Sequence, residues 1–106
     1  MTFYTNRLIP EGFAGCARGP FIFIRPEFKD DKGLLAHERT HVKQWVRTLG
    51  LHSLLYVLSS KYKLNCEIAA YKKQLEFSPN NKDLFAYFIS VNYGLDITKE
   101  EAYKLL

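Results

Sequence analysis

The stretch from Asp30 to Gly50 constrains the fold more than any other. Its apolar residues, Leu34, Leu35, Val42, Trp45, Val46 and Leu49, recur at a helical period. Asp30 and Asp31 can cap a helix that starts near Lys32, and Gly50 supplies its stop. An amphipathic helix of this length has to bury one face, so the rest of the chain must supply something to cover it. On the stripe that includes Leu34 and Trp45 stand two histidines, in the run His37-Glu38-Arg39-Thr40-His41.

The remaining segments predict how that face is covered. Residues 1–20 carry Pro10, Gly12, Gly15, Gly19 and Pro20 and read as loop, with a short strand near Phe3 to Leu8. Phe21-Ile22-Phe23-Ile24-Arg25 is a β-branched and aromatic run closed by Pro26, the signature of a strand at a sheet edge. A short, nearly all-apolar helix is expected from Ser53 to about Ser60. A third helix is expected over Lys63 to Phe77, with Leu64, Ile68, Tyr71 and Leu75 on one face. A fourth spans Lys82 to Tyr93, with Leu84, Phe85, Phe88 and Ile89 buried and Gly94 as its stop. Thr98 and Glu101 fit a capping box that opens a last helix to Leu106. The expected class is α+β, mostly α, with a small N-terminal β element and about five helices. At 106 residues and 47% hydrophobic content, one domain over residues 1–106 is the expectation.

Charge and cysteine usage exclude several classes. The net charge of +4 is mild and its basic residues run from Arg7 to Lys104, without the concentrated face that nucleic-acid binding requires. Cys16 and Cys66 form no CxxC pattern and no disulfide framework, which reads as free thiols in a reducing compartment. Met1 to Arg7 shows no signal-peptide pattern. The longest apolar run, Leu54 to Leu58, is far short of the ~20 residues of a membrane span. A soluble, cytoplasmic protein without a membrane partner is the expectation, as monomer or dimer.

The chemistry lies in the two histidines. Residues four apart stand one turn apart on the same helical face, with Cβ atoms about 5–6 Å apart. Their imidazoles can converge on one tetrahedral ion at about 2.0–2.1 Å each. Glu38 lies about 100° round the helix from His37, placed to reach a water at the ion without ligating it. Inward imidazoles with no ligand would each need another partner. Catalytic zinc takes a third protein ligand and leaves a fourth position open. Glu67 shares its stripe with Leu64, Ile68, Tyr71 and Leu75, and a hairpin of helices would bring it to the histidines. Cys66, His52, Asp30 and Asp31 compete for that role.

Together, the strand, the HExxH run extended to Val42-Lys43-Gln44-Trp45, and Glu67 to Tyr71 resemble the gluzincin clan of zinc metallopeptidases. The chain is most similar to the very short HExxH proteins of phages and bacteria, minimal gluzincin-like, zincin-type domains. The resemblance covers about residues 20–77. It implies that His37, His41 and Glu67 bind Zn2+ and that Glu38 is the general base. It also implies that Phe21, Ile22, Phe23, Ile24 and Arg25 align an extended peptide or protein substrate by strand addition. Larger gluzincins often carry an Asp four residues after the ligand Glu. Here that position is Tyr71, so the orientation of a ligand histidine would fall to Gln44 or a backbone carbonyl. Tyr62, Tyr71 and His52 are candidates for stabilising the oxyanion.

The expected function is therefore a zinc-dependent metallohydrolase, a small peptidase. The alternative is a zinc-stabilised binding module with little or no activity, such as a phage-encoded partner of a host protein. A basic nucleic-acid or host-factor binder with an accidental HExxH ranks last.

Overall fold

Phe21–Ile24 is the middle strand of a three-stranded sheet in the computed structural model, which describes residues 1–106. Thr2–Tyr4 (β1) pairs with it in parallel, and Gly15–Arg18 (β2) pairs antiparallel from the other side, in the order β1-β3-β2 with Phe21–Ile24 as β3. The two-residue period of β3 separates its faces. Ile22 and Ile24 are buried with Leu34, while Phe23 stacks on Phe3 at a centroid distance of 5.5 Å on the opposite face.

Five helices follow: α1 Lys32–Arg47, α2 His52–Leu58, α3 Ser60–Leu75, α4 Lys82–Asn92 and α5 Lys99–Leu105. Asp31 caps α1, its Oδ1 accepting from the Leu34 amide at 2.9 Å. Ser59 caps α3 through the Tyr62 amide, and Thr98 and Glu101 close the expected capping box on α5. The α+β class, the five helices and the N-terminal sheet agree with the sequence expectation.

Helices α1 and α3 lie antiparallel. Gly33 abuts Gln74 and Phe77 at one end of the pair, and Gln44 reaches Cys66 toward the other. A Cβ on Gly33 would come within 3.2 Å of the Phe77 Cβ, so the close crossing depends on this glycine. Two small cores flank the pair. Ile22, Ile24 and Leu34 form one, and Tyr71, Phe85, Ala86, Ile89 and Ala102 form the other. Leu34 belongs to the first and Tyr71 to the second, so the side chains between them occupy the seam.

Several local expectations are corrected. Phe21–Ile24 is not an edge. Thr5 N–H donates to Ile24 O and Arg25 N–H donates to Ala14 O, each at 2.9 Å, so both sides of the strand are occupied. Pro26 stands outside the ladder, at the start of a 3-10 turn over Pro26–Phe28, and costs the strand no hydrogen bond. The first strand is shorter than Phe3 to Leu8, and β2 lies in a segment read as loop. The Arg25 side chain turns back on the N-terminal segment. Its guanidinium donates to the carbonyls of Phe13, Ile9 and Pro10 and to Asn6, tying down the loop before β2. At the far end of α1, Val46 and Leu49 face outward rather than inward, because the helix ends at Arg47 and the chain turns through Leu49 and Gly50 at φ of 54° and 88°.

Candidate metal centre

His37, His41 and Glu67 meet in the seam between α1 and α3. His37 is 4% exposed and Glu67 2%, and the side chain of His41 is nearly as buried. Their placement follows from the helical period. Leu34, His37, Glu38 and His41 form one α1 stripe at i, i+3, i+4 and i+7, and Glu67 occupies the facing stripe of α3 between Cys66 and Tyr71.

The donor atoms lie close enough together to share one ion, within 4.8 Å of one another. His37 Nε2 and His41 Nε2 are 3.2 Å apart. Glu67 Oε1 is 3.4 Å from His37 Nε2, and Oε2 is 3.3 Å from His41 Nε2. Ligands at about 2.0–2.1 Å from one tetrahedral centre are separated by roughly 3.3–3.4 Å. Two further features suit a cation. Glu67 Oε1 is buried and lacks a hydrogen-bond donor. Two imidazole nitrogens face each other across 3.2 Å, an arrangement in which one must carry the proton for the other to accept it.

Burial alone would lower the pKa of His41, but the charge of Glu67 and its hydrogen bond outweigh that and raise it to about 9. Burial likewise pushes Glu67 up, and the two imidazoles more than reverse this, holding its carboxyl far below the usual carboxylate range.

Neighbouring groups orient the cluster. His41 Nδ1 is 2.9 Å from Gln44 Oε1, and Gln44 Nε2 donates to the Cys66 carbonyl at 3.2 Å. A glutamine oxygen accepts only, so His41 carries its proton on Nδ1 and its Nε2 is the free ligand atom when the ring is neutral. Gln44 thus links the His41 ring to the backbone of α3. Tyr71 packs its ring edge-on against His37 at a centroid distance of 4.4 Å. Its hydroxyl shares a hydrogen bond with the Tyr93 hydroxyl at 2.7 Å, in which either oxygen can donate. Tyr56, on α2, was missing from the sequence reading. Its hydroxyl donates to Glu67 Oε2 at 2.5 Å. A tyrosine in a run of leucines and valines reads as one more apolar residue, and only the return of α2 over the α1–α3 pair shows what it touches.

Glu38 is 4% exposed and faces the sheet, with Oε2 about 3.6 Å from where a Cβ on Gly15 would lie. Burial raises its pKa, with the two imidazoles and Glu67 as opposed smaller influences. It lines the same cleft as His37, His41 and Glu67. The cleft is open, about 1060 Å³ in volume, and is bounded by the loop before β2, by β2 itself, by α2 and by α4.

The other candidates do not enter the cluster. Asp31 is the α1 cap, and Asp30 lies exposed at the preceding turn. Cys66 is buried on the flank of Glu67, its thiol 4.0 Å from His52 Nδ1. His52 lines the cleft, with its ring centroid 6.1 Å from that of His41. Its Nδ1 is 2.8 Å from the Tyr62 hydroxyl, so Tyr62 sets the orientation of His52. Burial and the charge of His41 lower the pKa of His52 and favour the neutral ring. No helix is long and apolar enough to cross a membrane. No family model, curated protein or solved structure matches the chain.

Proposed function

We propose that the protein is a zinc-dependent hydrolase of the HExxH, gluzincin-like kind, acting on peptide bonds. His37, His41 and Glu67 are its metal ligands and Glu38 is its general base. The observation that supports this best is the cluster itself. Three side chains able to ligate one ion, with donor atoms within 4.8 Å of one another, line an open cleft beside the buried Glu38 carboxylate. Three protein ligands and an open side suit a catalytic ion better than a structural one, which takes four.

Zn2+ bound there supplies an acidified water and a positive charge that polarises a carbonyl. Glu38 holds its carboxylate against the cleft wall, and burial strengthens its affinity for a proton. It is therefore suited to accept a proton during attack and return it to the leaving nitrogen. His52, held by Tyr62 and lining the cleft, is the donor this reading assigns to an anionic intermediate, since the Tyr56 hydroxyl is committed to Glu67. The substrate-aligning role passes from β3 to β2. That strand has an unpaired outer edge, lines the cleft from Gly15 to Arg18, and offers an extended peptide the pairing that β3 cannot.

Glu38→Gln is expected to lower turnover of a fluorogenic peptide library by about 10²- to 10⁴-fold while zinc stoichiometry stays unchanged. Equal turnover by the variant and the parent protein would overturn the mechanism. If both bind one zinc and neither cleaves, the binding-module reading takes its place.

A further inference from the structure

We propose that the tip formed by the end of α1, the following turn and α2 is a docking surface for an anionic lipid bilayer. The tip is an exposed aliphatic patch. Val46, Leu49, Leu51, Leu54, Val57 and Leu58 are each more than half exposed, Leu49 at 92%. Six such side chains within residues 46–58 single out this end of the molecule as an interaction surface. Helix α2, the short and nearly all-apolar helix expected from the sequence, buries none of its residues.

Charge identifies the occupant. From Glu38 to Glu67 the chain contains no acidic residue, while Arg39, Lys43, Arg47, Lys61 and Lys63 lie between them. This segment holds more positive charge than the chain's entire net +4. Arg39, Lys43 and Arg47 are spaced four apart on the exposed side of α1, and Lys61 is exposed at the opening of α3. Only Lys63 is engaged, over the Tyr56 ring and on the Tyr93 carbonyl. Arg39 and Lys43 share a surface pocket with Lys73 and Glu76, so the cations next to the apolar tip are Arg47 and Lys61, neither of them paired with an acid.

A second copy would set this patch against itself across a two-fold axis and bring the two sets of cations together. A protein groove selects aromatic and arginine anchors, with Leu and Val under-represented, and the tip offers only Leu and Val. Nucleic acid would use the cations and leave the aliphatic side chains in water. An anionic bilayer uses both, taking the aliphatic groups at the acyl boundary and the cations among the headgroups. A surface contact of this kind needs no spanning helix, so the short apolar run that argued against a membrane does not argue against it. Ser53 and Val57 of α2 also line the cleft, so docking would hold the cleft mouth beside the lipid surface. The inference does not depend on the metal.

The test is flotation of the full chain with vesicles of phosphatidylglycerol and phosphatidylcholine, or of phosphatidylcholine alone. The chain is expected to float with the mixed vesicles, to stay behind with phosphatidylcholine alone, and to be released by high salt. Arg47→Gln and Lys61→Gln are each expected to weaken binding about fivefold. Leu49→Asp combined with Leu58→Asp is expected to abolish it. Both positions are exposed, and circular dichroism of that variant confirms that it folds. Absence of flotation with anionic vesicles overturns the proposal, as does undiminished flotation of the double aspartate variant. A dimer in sedimentation that the same variant dissociates would assign the tip to a second copy instead. Salt-sensitive binding of duplex DNA in place of vesicles would assign it to nucleic acid.

Discussion

Among single side chains, Tyr56 and Gln44 decide how two of the three proposed ligands are presented. Tyr56 fixes one oxygen of Glu67 and Gln44 fixes the ring of His41. Tyr56→Phe removes only a hydroxyl at the rim of a partly exposed site, so the fold is expected to survive. Zinc affinity is expected to fall about 10- to 100-fold, as for other groups that orient metal ligands. Competition with a chromogenic chelator measures it. The proton on His41 gives a second prediction. Its folded pKa, about 9, lies above the unfolded value of 6.5. The ion pair with Glu67 therefore contributes stability that is fully present below pH 6.5 and lost as pH rises through 9. Metal-free protein is expected to show a lower Tm at about pH 10 than at about pH 7. Zinc must displace the same proton. Binding at about pH 7 is expected to release about one proton from His41, read by calorimetry in buffers of different ionisation enthalpy. The release is expected to vanish above the folded pKa.

At the scale of elements, β2 determines where the cleft wall stands. A Cβ on Gly15 would lie 2.9 Å from the Phe23 carbonyl oxygen, a backbone atom of the central strand that cannot swing aside. Gly15→Ala is expected to push β2 off β3 and to cost about 1–3 kcal/mol in urea unfolding, the usual penalty of overpacking. A variant as stable as the parent would show that the approach is looser than this contact implies. The same strand marks a limit of the sequence. Helices α1, α3, α4 and α5 are legible because caps and apolar period act within each segment, as in Asp31 with Leu34 and Thr98 with Glu101. Strand β2 is not, because four residues beside two glycines and two prolines carry no pattern of their own, and β3 supplies their hydrogen bonds. Pro26 misled for a related reason. A proline one residue beyond Arg25 leaves the ladder intact and so says nothing about which strand is central. The outward turn of Val46 and Leu49 was hidden too, since periodicity shows which residues share a face but not how far the covering helix extends.

For the whole molecule, the cluster is the joint between two cores that are each small. Ile22, Ile24 and Leu34 form one, and the group around Tyr71, Phe85 and Ile89 forms the other. The histidines were legible from their spacing, and Glu67 from its place on an inward stripe. Tyr56 was not, since its role exists only once α2 has folded back over α3. Binding that joins two cores is also folding free energy, so zinc is expected to raise the melting temperature of the whole chain and chelation to lower it. The most direct measurement is elemental analysis of protein purified without chelators, run beside His37→Ala and Glu67→Ala. One zinc per chain, lost in both variants, is the expected result. A parent protein that carries no zinc and takes up none when it is supplied would contradict the account.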